Sequence, residues 1–230
     1  MPKTKRIVTQ DAAANLRADF TRREVALPGG ETWQPTPMPG IERHMLERIG
    51  EPDARETAIV RYAAGARGPG GGEEFLVLAG SLHDDAGDYR ERTYVRNPAG
   101  PIRMAWAGPD GAVLFVKRSG LAEDDAERVV IDTRTARWYQ GLVHGLTVLP
   151  LHERGAERVA LVRWGPSTTF RRHRHLGGEE ILVLEGVFED EHGKYPKGSW
   201  LRNPHLSEHN PFTGPDGALI FVKTGHLGAA

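Results

Sequence analysis

Short apolar runs separated by Gly, Pro, Asp and Asn dominate the chain, and they predict strands rather than helices. In the first half, the predicted strands are Ala58–Ala64, Glu74–Ala79, Tyr89–Val95 and Ala112–Lys117. In the second half, they are Glu157–Trp164, Ile181–Phe188, Gly198–Leu201 and Ala218–Lys223. One short helix is predicted at Thr9–Phe20. Strands of this length and spacing are typical of antiparallel sandwiches and barrels, so an all-β fold is expected.

Two kinds of turn separate the predicted strands. The sequence GPDG occurs at 108–111 and again at 214–217, and it predicts a turn because Pro and Gly stand where turns prefer them. The sequence EDEHG at 189–193 predicts a polar hairpin turn between two strands.

The second half of the chain repeats the first. Gly71–Gly80 (GGEEFLVLAG) and Gly177–Gly186 (GGEEILVLEG) match at eight of ten positions, with an offset of 106 residues. At the same offset, 107–117 and 213–223 match at eight of eleven positions. Upstream the offset falls to 102, so the second copy carries four extra residues, which lie in the segment Ser167–His175. This internal repeat predicts two similar domains.

The expected domain boundary lies near residues 120–130, where the sequence LAEDDAER is typical of a charged, exposed connector. We therefore expect an N-terminal extension over 1–25, a first domain over 26–125 and a second domain over 126–230.

Composition and charge exclude several classes of partner and site. The formal net charge of −1 argues against nucleic acid or an anionic membrane as the main partner. The absence of cysteine excludes disulfides, thiolate nucleophiles and Cys-based zinc sites. The first twenty residues lack the apolar region of a signal peptide, and no apolar run is long enough to cross a membrane. These features predict a cytoplasmic protein.

The segment RRHRHLGGEE in the second copy carries the candidate chemistry. His173 and His175 alternate along an extended segment, so both side chains project to the same face. The Gly-Gly turn that follows can return Glu179 to the two imidazoles, and His209 begins a later segment. Imidazoles with one carboxylate suit Zn²⁺, Fe²⁺, Mn²⁺, Ni²⁺ or Cu²⁺ better than Ca²⁺ or Mg²⁺. Taken alone, RRHRH is also compatible with a solvated basic loop.

The first copy provides an internal comparison for this cluster. At the positions equivalent to the three histidines it carries Arg67, Pro69 and Arg103, while Glu73 is retained. Residues that form one site are expected to disappear as a set, so the first domain is predicted to be metal-free. We expect Glu73 and Arg103 to form an ion pair inside it, because a buried carboxylate needs a partner. An interior filled by apolar side chains is the alternative.

These motifs resemble the cupin superfamily, and more closely the cupin domain of ChrR-type anti-sigma factors and related two-cupin proteins. The resemblance is carried by HRH, by Glu179, by GKYPKGSWLRNP and by GPDGALIFVK, and it covers nearly the whole chain after about residue 25. It implies a bicupin, that is, tandem double-stranded β-helix (jelly-roll) barrels. It also implies that the metal ligands are His173, His175, Glu179 and His209.

The other histidines are not expected to bind the metal. The family places its last ligand five residues after the Pro of RNP, which selects His209 over His205. The remaining histidines show no partner pattern: His44, His83, His144, His152, His192 and His226.

The resemblance implies three candidate functions. Some relatives are metal-dependent dioxygenases of small ketones, so the first is an Fe²⁺-dependent dioxygenase acting on a small carbonyl or aromatic substrate. The second is a ChrR-like regulatory sensor, and the third is a non-catalytic zinc- or ligand-binding module. Zn²⁺ or Fe²⁺ is the expected cofactor, with Mn²⁺ and Ni²⁺ as alternatives.

The same reasoning gives expectations about partners and the pocket. A sigma factor is not an expected partner, because no separate zinc domain is recognisable ahead of the first cupin. A small-molecule ligand or substrate is expected, and the sequence leaves both a monomer and a homodimer open. Aromatic residues of the second copy are the candidates for the pocket lining: Trp164, Phe170, Phe188, Trp200 and Phe212.

Overall fold

The computed structural model describes residues 15–50, 55–70, 73–98, 103–118 and 125–228, and these residues form 19 β-strands. Strands β1 to β10 are Glu24–Ala26, Gln34–Pro35, Ile41–Ile49, Arg55–Tyr62, Arg67–Gly70, Glu73–Asp84, Gly87–Arg90, Thr93–Asn97, Arg103–Arg118 and Val129–Asp132. Strands β11 to β19 are Tyr139–Gln140, Leu146–Arg154, Glu157–Trp164, His173–Arg174, Glu179–Asp190, Gly193–Pro196, Trp200–Asn203, Glu208–His209 and Phe212–Thr224. The described ranges contain no helix, and thus none long and apolar enough to cross a membrane. The all-β prediction is confirmed.

Each half of the chain forms an antiparallel jelly-roll barrel, as predicted. The strand order of the first sheet is β10-β8-β6-β9-β4-β3-β2, with β5 paired to β9 and β7 to β6. The second sheet has the order β1-β17-β15-β19-β13-β12-β11, with β16 paired to β15. Alternate residues of the central strands fill each interior, so Phe75 and Val116 belong to the first core and Ile181 and Ala218 to the second.

The two barrels exchange their first strands. β1 precedes the first barrel in sequence, yet it pairs with β17 of the second barrel, from Glu24↔Arg202 to Ala26↔Trp200. β10 precedes the second barrel but pairs with β8 of the first. Because β1 and β10 occupy equivalent positions of the repeat, the exchange is reciprocal. The domain boundaries inferred from the repeat did not predict this strand exchange.

A third apolar cluster joins the two barrels across the outer faces of their sheets. The first barrel contributes residues including Leu46, Leu76, Tyr94 and Phe115, and the second contributes residues including Leu161, Leu182, Trp200 and Phe221. Phe115 and Phe221 are equivalent in the repeat, and their rings meet edge to face with centroids 5.2 Å apart. The barrels therefore share one continuous buried interface.

Two buried ion pairs cross this interface at equivalent positions. Lys117 Nζ lies 2.5 Å from Glu180 Oε2, and Lys223 Nζ lies 2.8 Å from Glu74 Oε1. Lys117 corresponds to Lys223 and Glu74 corresponds to Glu180 at the 106-residue offset of the repeat. The contacts therefore relate the two halves by an approximate twofold axis.

Both GPDG segments are bulges inside a strand, not turns between strands as predicted. Gly80 pairs with Ala112 and Leu82 with Ala107, so one residue of β6 faces the four residues 108–111 of β9. The segment 214–217 bulges from β19 in the same way. A Cβ on Gly80 would lie 2.1 Å from the carbonyl oxygen of Gly111, so this close approach requires glycine. The hairpin turn predicted at 189–193 is confirmed, with Asp190 pairing with Gly193.

Three other local predictions need correction. The predicted strand Tyr89–Val95 is two strands, β7 and β8, separated by a turn at Arg92, where φ is 71°. The predicted helix Thr9–Phe20 is not helical at residues 15–20, and residues 9–14 lie outside the described ranges. The connector LAEDDAER is described from residue 125 onward, where Asp125 is buried in an ion pair with Arg96 and is therefore not exposed.

Candidate metal centre

Three histidines converge near the mouth of the second barrel. Strands β14 and β18 pair so that His173 lies directly opposite His209, and His175 follows on the same face. The ring centroid of His173 lies 4.6 Å from that of His175 and 4.9 Å from that of His209. The ring centroids of His175 and His209 are 4.9 Å apart. His175 and His209 are buried and His173 is half-buried. The short strand β14 carries His173, and His175 lies one residue beyond its end.

Glu179 enters the same cluster from the first position of β15. Its Oε2 atom lies 3.5 Å from Nε2 of His175 and 3.6 Å from Nε2 of His209. The turn before it is made by Gly177 and Gly178, with φ of 74° and 70°. These left-handed conformations suit glycine, so the Gly-Gly pair is the local reason that the carboxylate returns to the histidines. The four predicted ligands therefore come together.

The electrostatic environment favours neutral imidazoles at two of the three positions. Burial lowers the pKa of His173 and of His175 below its usual value. Burial alone would also lower the pKa of His209, but its contact with Asp190 and the charge of Glu179 raise it. Burial by itself raises the pKa of Asp190, whereas hydrogen bonds from His209 and Tyr195 bring it to about 2. A neutral imidazole nitrogen is the form that binds metals.

The hydrogen bonding of the cluster tests whether it fits a metal ion. Nε2 of His175 and Nε2 of His209 are buried, and neither has a hydrogen-bond partner within the described ranges. Buried polar atoms of this kind are rare unless something binds them. One donor atom from each of the three histidines lies within 4.8 Å of the others. Two nitrogens on one ion at about 2.1 Å lie at most about 4.2 Å apart, so small side-chain adjustments suffice. The donor set fits a transition-metal ion.

The aromatic pocket candidates divide between the site and the interface. Phe170 meets His173 edge to face at 4.8 Å, and Phe188 lies 6.3 Å from His209. Trp164 packs on Phe188 at 5.4 Å, one layer further from the histidines. Phe212 is half-buried at the start of β19.

Trp200 does not lie in the pocket, contrary to the prediction. Its side chain points out of the second barrel into the apolar cluster between the barrels, where Nε1 donates a 2.8 Å hydrogen bond to Glu180. Neighbouring positions of a strand face opposite sides of the sheet, and β17 begins with Trp200 on the outer side and Leu201 on the inner side.

The first barrel holds a different ionic arrangement from the one predicted. Glu73 forms its ion pair with Arg118 of β9, with Nε 3.1 Å from Oε2, and Arg118 also contacts Glu56 at 3.2 Å. Arg103 is exposed, so it does not form the expected pair inside the barrel, and Arg67 is exposed over the ring of Trp106. The sequence identified the buried carboxylate correctly, but its partner comes from the far end of the same strand that Arg103 begins.

Several polar residues around the ligands were not identified from the sequence. Asp190 Oδ2 lies 3.5 Å from Nδ1 of His209, and Asn203 Nδ2 donates a 2.9 Å hydrogen bond to Glu179 Oε2. The repeat contains a usable signal, because Asp84 and Asn97 stand at the equivalent positions of the first copy. His205 takes a different role, since its Nδ1 accepts a 2.9 Å hydrogen bond from the Gly177 amide.

The fold and this cluster together define the class of protein. Two jelly-roll barrels in one chain, one of them with a buried histidine cluster at its mouth, are the features of a two-cupin protein. The chain belongs to the family of the ChrR Cupin-like domain, which matches residues 21–122 and again residues 126–228. The predicted resemblance is therefore confirmed.

Solved structures with the same fold are distant in sequence. The chain is similar to a candidate dioxygenase from Nostoc punctiforme, with a TM-score of 0.73 and 16% identity over 91% of this chain and 85% of that one. It is similar to a candidate glyoxylate-induced protein from Pseudomonas aeruginosa, with a TM-score of 0.70 and 14% identity over 87% of each chain. It is also similar to a variant of Bacillus subtilis oxalate decarboxylase, with a TM-score of 0.63 and 12% identity over 90% and 78% of the two chains. A comparison with curated proteins gives no match.

Proposed function

We propose that the second barrel binds one divalent transition metal through His173, His175, Glu179 and His209. With Fe²⁺ in this site, the protein would act as a dioxygenase on a small carbonyl or aromatic substrate. The observation that supports this most strongly is the pair of buried, unpartnered Nε2 atoms, on His175 and His209, that face the Glu179 carboxylate. The distant structural similarity to a candidate dioxygenase agrees with it.

The protein's own residues would prepare the site in three ways. Burial holds His173 and His175 neutral, so their nitrogens are available as ligands. Phe188 is buried with its ring 6.3 Å from that of His209, and this apolar ring would limit access of water on that side. His173 is the half-buried ligand and Phe170 lies against it, so a substrate would approach on this side and place its apolar part on Phe170. A bound ion would supply Lewis acidity and, if it is iron, redox chemistry with O₂.

Metal analysis of protein purified without added metal tests the site directly. We expect about one ion per chain, because one barrel carries a complete ligand set. His175→Ala should lose the ion, since it removes a buried ligand. His205→Ala should retain it, because His205 lies beside the site but bonds the Gly177 amide. A wild-type protein that binds no transition metal even after reconstitution would overturn the proposed site.

Oxygen uptake then tests the reaction. The iron-loaded protein should consume O₂ with small diketones or hydroxyaryl ketones, and His175→Ala should not. If the protein retains only zinc and the iron-loaded form consumes no O₂ with these substrates, the dioxygenase assignment is wrong. The remaining function would then be a non-catalytic zinc- or ligand-binding module.

A further inference from the structure

The exchanged N-terminal segment reaches the metal centre of the opposite barrel through one arginine. Arg23 directly precedes β1, and β1 lies on β17 of the second barrel. The Arg23 guanidinium therefore sits beside β17 and the β15–β16 hairpin, although it is about 150 residues or more from the ligands in sequence. Its side chain is about 28% exposed, and the Asp190 side chain that it contacts is fully buried.

One branch of its contacts leads to Glu179. Arg23 Nε donates a 3.0 Å hydrogen bond to Asn203 Oδ1, and Asn203 Nδ2 donates a 2.9 Å hydrogen bond to Glu179 Oε2. Because Arg23 can only donate, it fixes the amide of Asn203 with its oxygen toward Arg23 and its NH₂ toward Glu179. Without this contact, the hydrogen bond to Glu179 alone would hold the amide in this orientation.

The second branch leads to His209. Arg23 Nη2 lies 3.2 Å from Asp190 Oδ2 and 2.5 Å from the Tyr195 hydroxyl, which itself donates a 2.7 Å hydrogen bond to Asp190 Oδ1. Asp190 Oδ2 in turn lies 3.5 Å from Nδ1 of His209. A carboxylate on one ring nitrogen fixes the tautomer that leaves the other nitrogen as a ligand. Arg23 thus holds in place the carboxylate that orients His209.

We propose that Arg23 is a positioning residue for the metal centre, which it supports through Asn203 and Asp190. The inference rests on the proposed metal site and adds that the site in the second barrel depends on a segment from the beginning of the chain. Residues that orient metal ligands typically change metal affinity by about 10- to 100-fold when they are removed.

The first barrel contains the matched network without the three histidines. Arg128 precedes β10 and donates a 3.1 Å hydrogen bond to Asn97 Oδ1, a short hydrogen bond to the Tyr89 hydroxyl, and an ion pair to Asp84 at 3.9 Å. The residue at the His209 position of this barrel is the exposed Arg103. The network therefore secures the exchanged strand in both barrels. In the second barrel its aspartate, Asp190, lies beside His209, whereas the first barrel has no histidine at the equivalent position. Arg128 is thus a structural control for Arg23.

The test compares Arg23→Gln, Arg128→Gln and the wild type as full-length chains. Zn²⁺ affinity is measured by competition with a chromophoric chelator, and Co²⁺ is used as a spectroscopic probe of the ligand geometry, both well below the unfolding temperature of each variant. Arg23→Gln should weaken Zn²⁺ binding by about 10- to 100-fold and change the visible spectrum of Co²⁺. Both variants should lower the unfolding temperature by similar amounts, because each arginine holds an exchanged strand. Arg128→Gln should nevertheless leave the Zn²⁺ affinity and the Co²⁺ spectrum as in the wild type.

A milder variant covers the case in which Arg23→Gln does not fold. Arg23→Lys keeps the charge but offers no planar fork, so it should fold and show an affinity between those of the wild type and Arg23→Gln. The inference is wrong if Zn²⁺ affinity and the Co²⁺ spectrum of Arg23→Lys, and of any folded Arg23→Gln, equal those of the wild type. Failure of the wild type itself to bind Zn²⁺ or Co²⁺ would instead overturn the proposed metal site.

Discussion

At the scale of single residues, Gly178 shows how tightly the backbone constrains the carboxylate that follows it. Its φ is 70°, and a Cβ there would lie 2.6 Å from Leu227 Cδ1 and 2.9 Å from the carbonyl oxygen of Asn203. The Leu227 side chain can move, but the Asn203 carbonyl belongs to the strand beside Glu179. Any side chain at residue 178 therefore pushes directly on the backbone that positions Glu179.

Gly178→Ala should destabilise the protein more than Gly155→Ala. Both glycines have positive φ, so alanine at either position costs about 1–2 kcal/mol in backbone conformation. Gly155 has no atom within 4 Å of its ideal Cβ, whereas Gly178 adds a clash with backbone. Gly178→Ala should therefore lose about 1–3 kcal/mol more in the free energy of unfolding, as overpacking does. Urea denaturation of the two variants measures the difference, and equal losses would show that the turn relaxes freely.

The sequence predicted the candidate ligands but not the residues that contact them. His173, His175 and Glu179 are close along the chain, and their directions follow from strand alternation and one turn. The resemblance to the cupin family selected His209, and the repeat agreed with it because the equivalents of all three histidines are absent from the first copy. Arg23, Asp190 and Arg118 act across strand pairings and the exchange between barrels. Local periodicity carries no information on such long-range contacts, so their roles, like the outward direction of Trp200, had to come from the structure.

At the scale of elements, β6, β9, β15 and β19 bring the barrels together through two equivalent buried ion pairs. Lys223 of β19 contacts Glu74 of β6 at 2.8 Å and Glu157 at 2.9 Å, and its ammonium is almost fully buried. A buried pair is costly to break because the remaining charge has no compensation. The pairs therefore require the two sheets to dock in one register.

Lys223→Met should destabilise the protein by about 3–5 kcal/mol, because it leaves Glu74 buried without its cation. Glu74→Gln in the same chain should recover part of that loss by removing the uncompensated charge. Arg61→Met, which breaks the exposed pair with Glu42, should change stability by less than about 1 kcal/mol. A double-mutant cycle by urea denaturation measures the coupling. Additive effects of the two core substitutions would contradict the prediction.

The same ion pair should make stability depend on pH in the acid range. Burial alone raises the pKa of Glu74, but Lys223 beside it lowers the net pKa below its usual 4.5. The unfolded chain therefore binds more protons in this window, so the stabilising contribution is complete above about pH 4.5 and decreases as the pH falls. Glu74→Gln should reduce the pH dependence of the urea midpoint between about pH 3 and 5. An unchanged pH dependence of the urea midpoint would show that the pKa of Glu74 is not lowered in the folded protein.

At the scale of the whole molecule, each barrel depends on the beginning of the other copy. β1 completes the second sheet and β10 completes the first, and each is preceded by an arginine that bonds an asparagine and a tyrosine of the barrel it joins. A chain cut between the two copies would therefore yield two fragments, each lacking an edge strand of its own sheet.

Fragments 1–124 and 125–230 should associate when they are produced together. The reciprocal exchange and the shared apolar cluster give them a large common interface, so they should elute as one heterodimer and bind the same amount of Zn²⁺ as the intact chain. Fragment 125–230 alone lacks Arg23, so any folded form of it should bind Zn²⁺ more weakly. Size-exclusion chromatography and metal titration provide the measurements. Fragments that elute separately, each folded, would show that the exchange is dispensable.

The reciprocal strand exchange also bears on how one half came to lack its ligands. The strand exchange, the arginine contacts and the lysine–glutamate pairs each occur twice, at positions that are equivalent in the repeat. This is the arrangement of two identical subunits around a twofold axis. An ancestor with one barrel per polypeptide would thus have paired with itself and carried two identical centres. Once a peptide linkage joined the partners, their sequences could diverge separately. One half could lose its histidines and still support the site in the other half, because its N-terminal segment supplies Arg23.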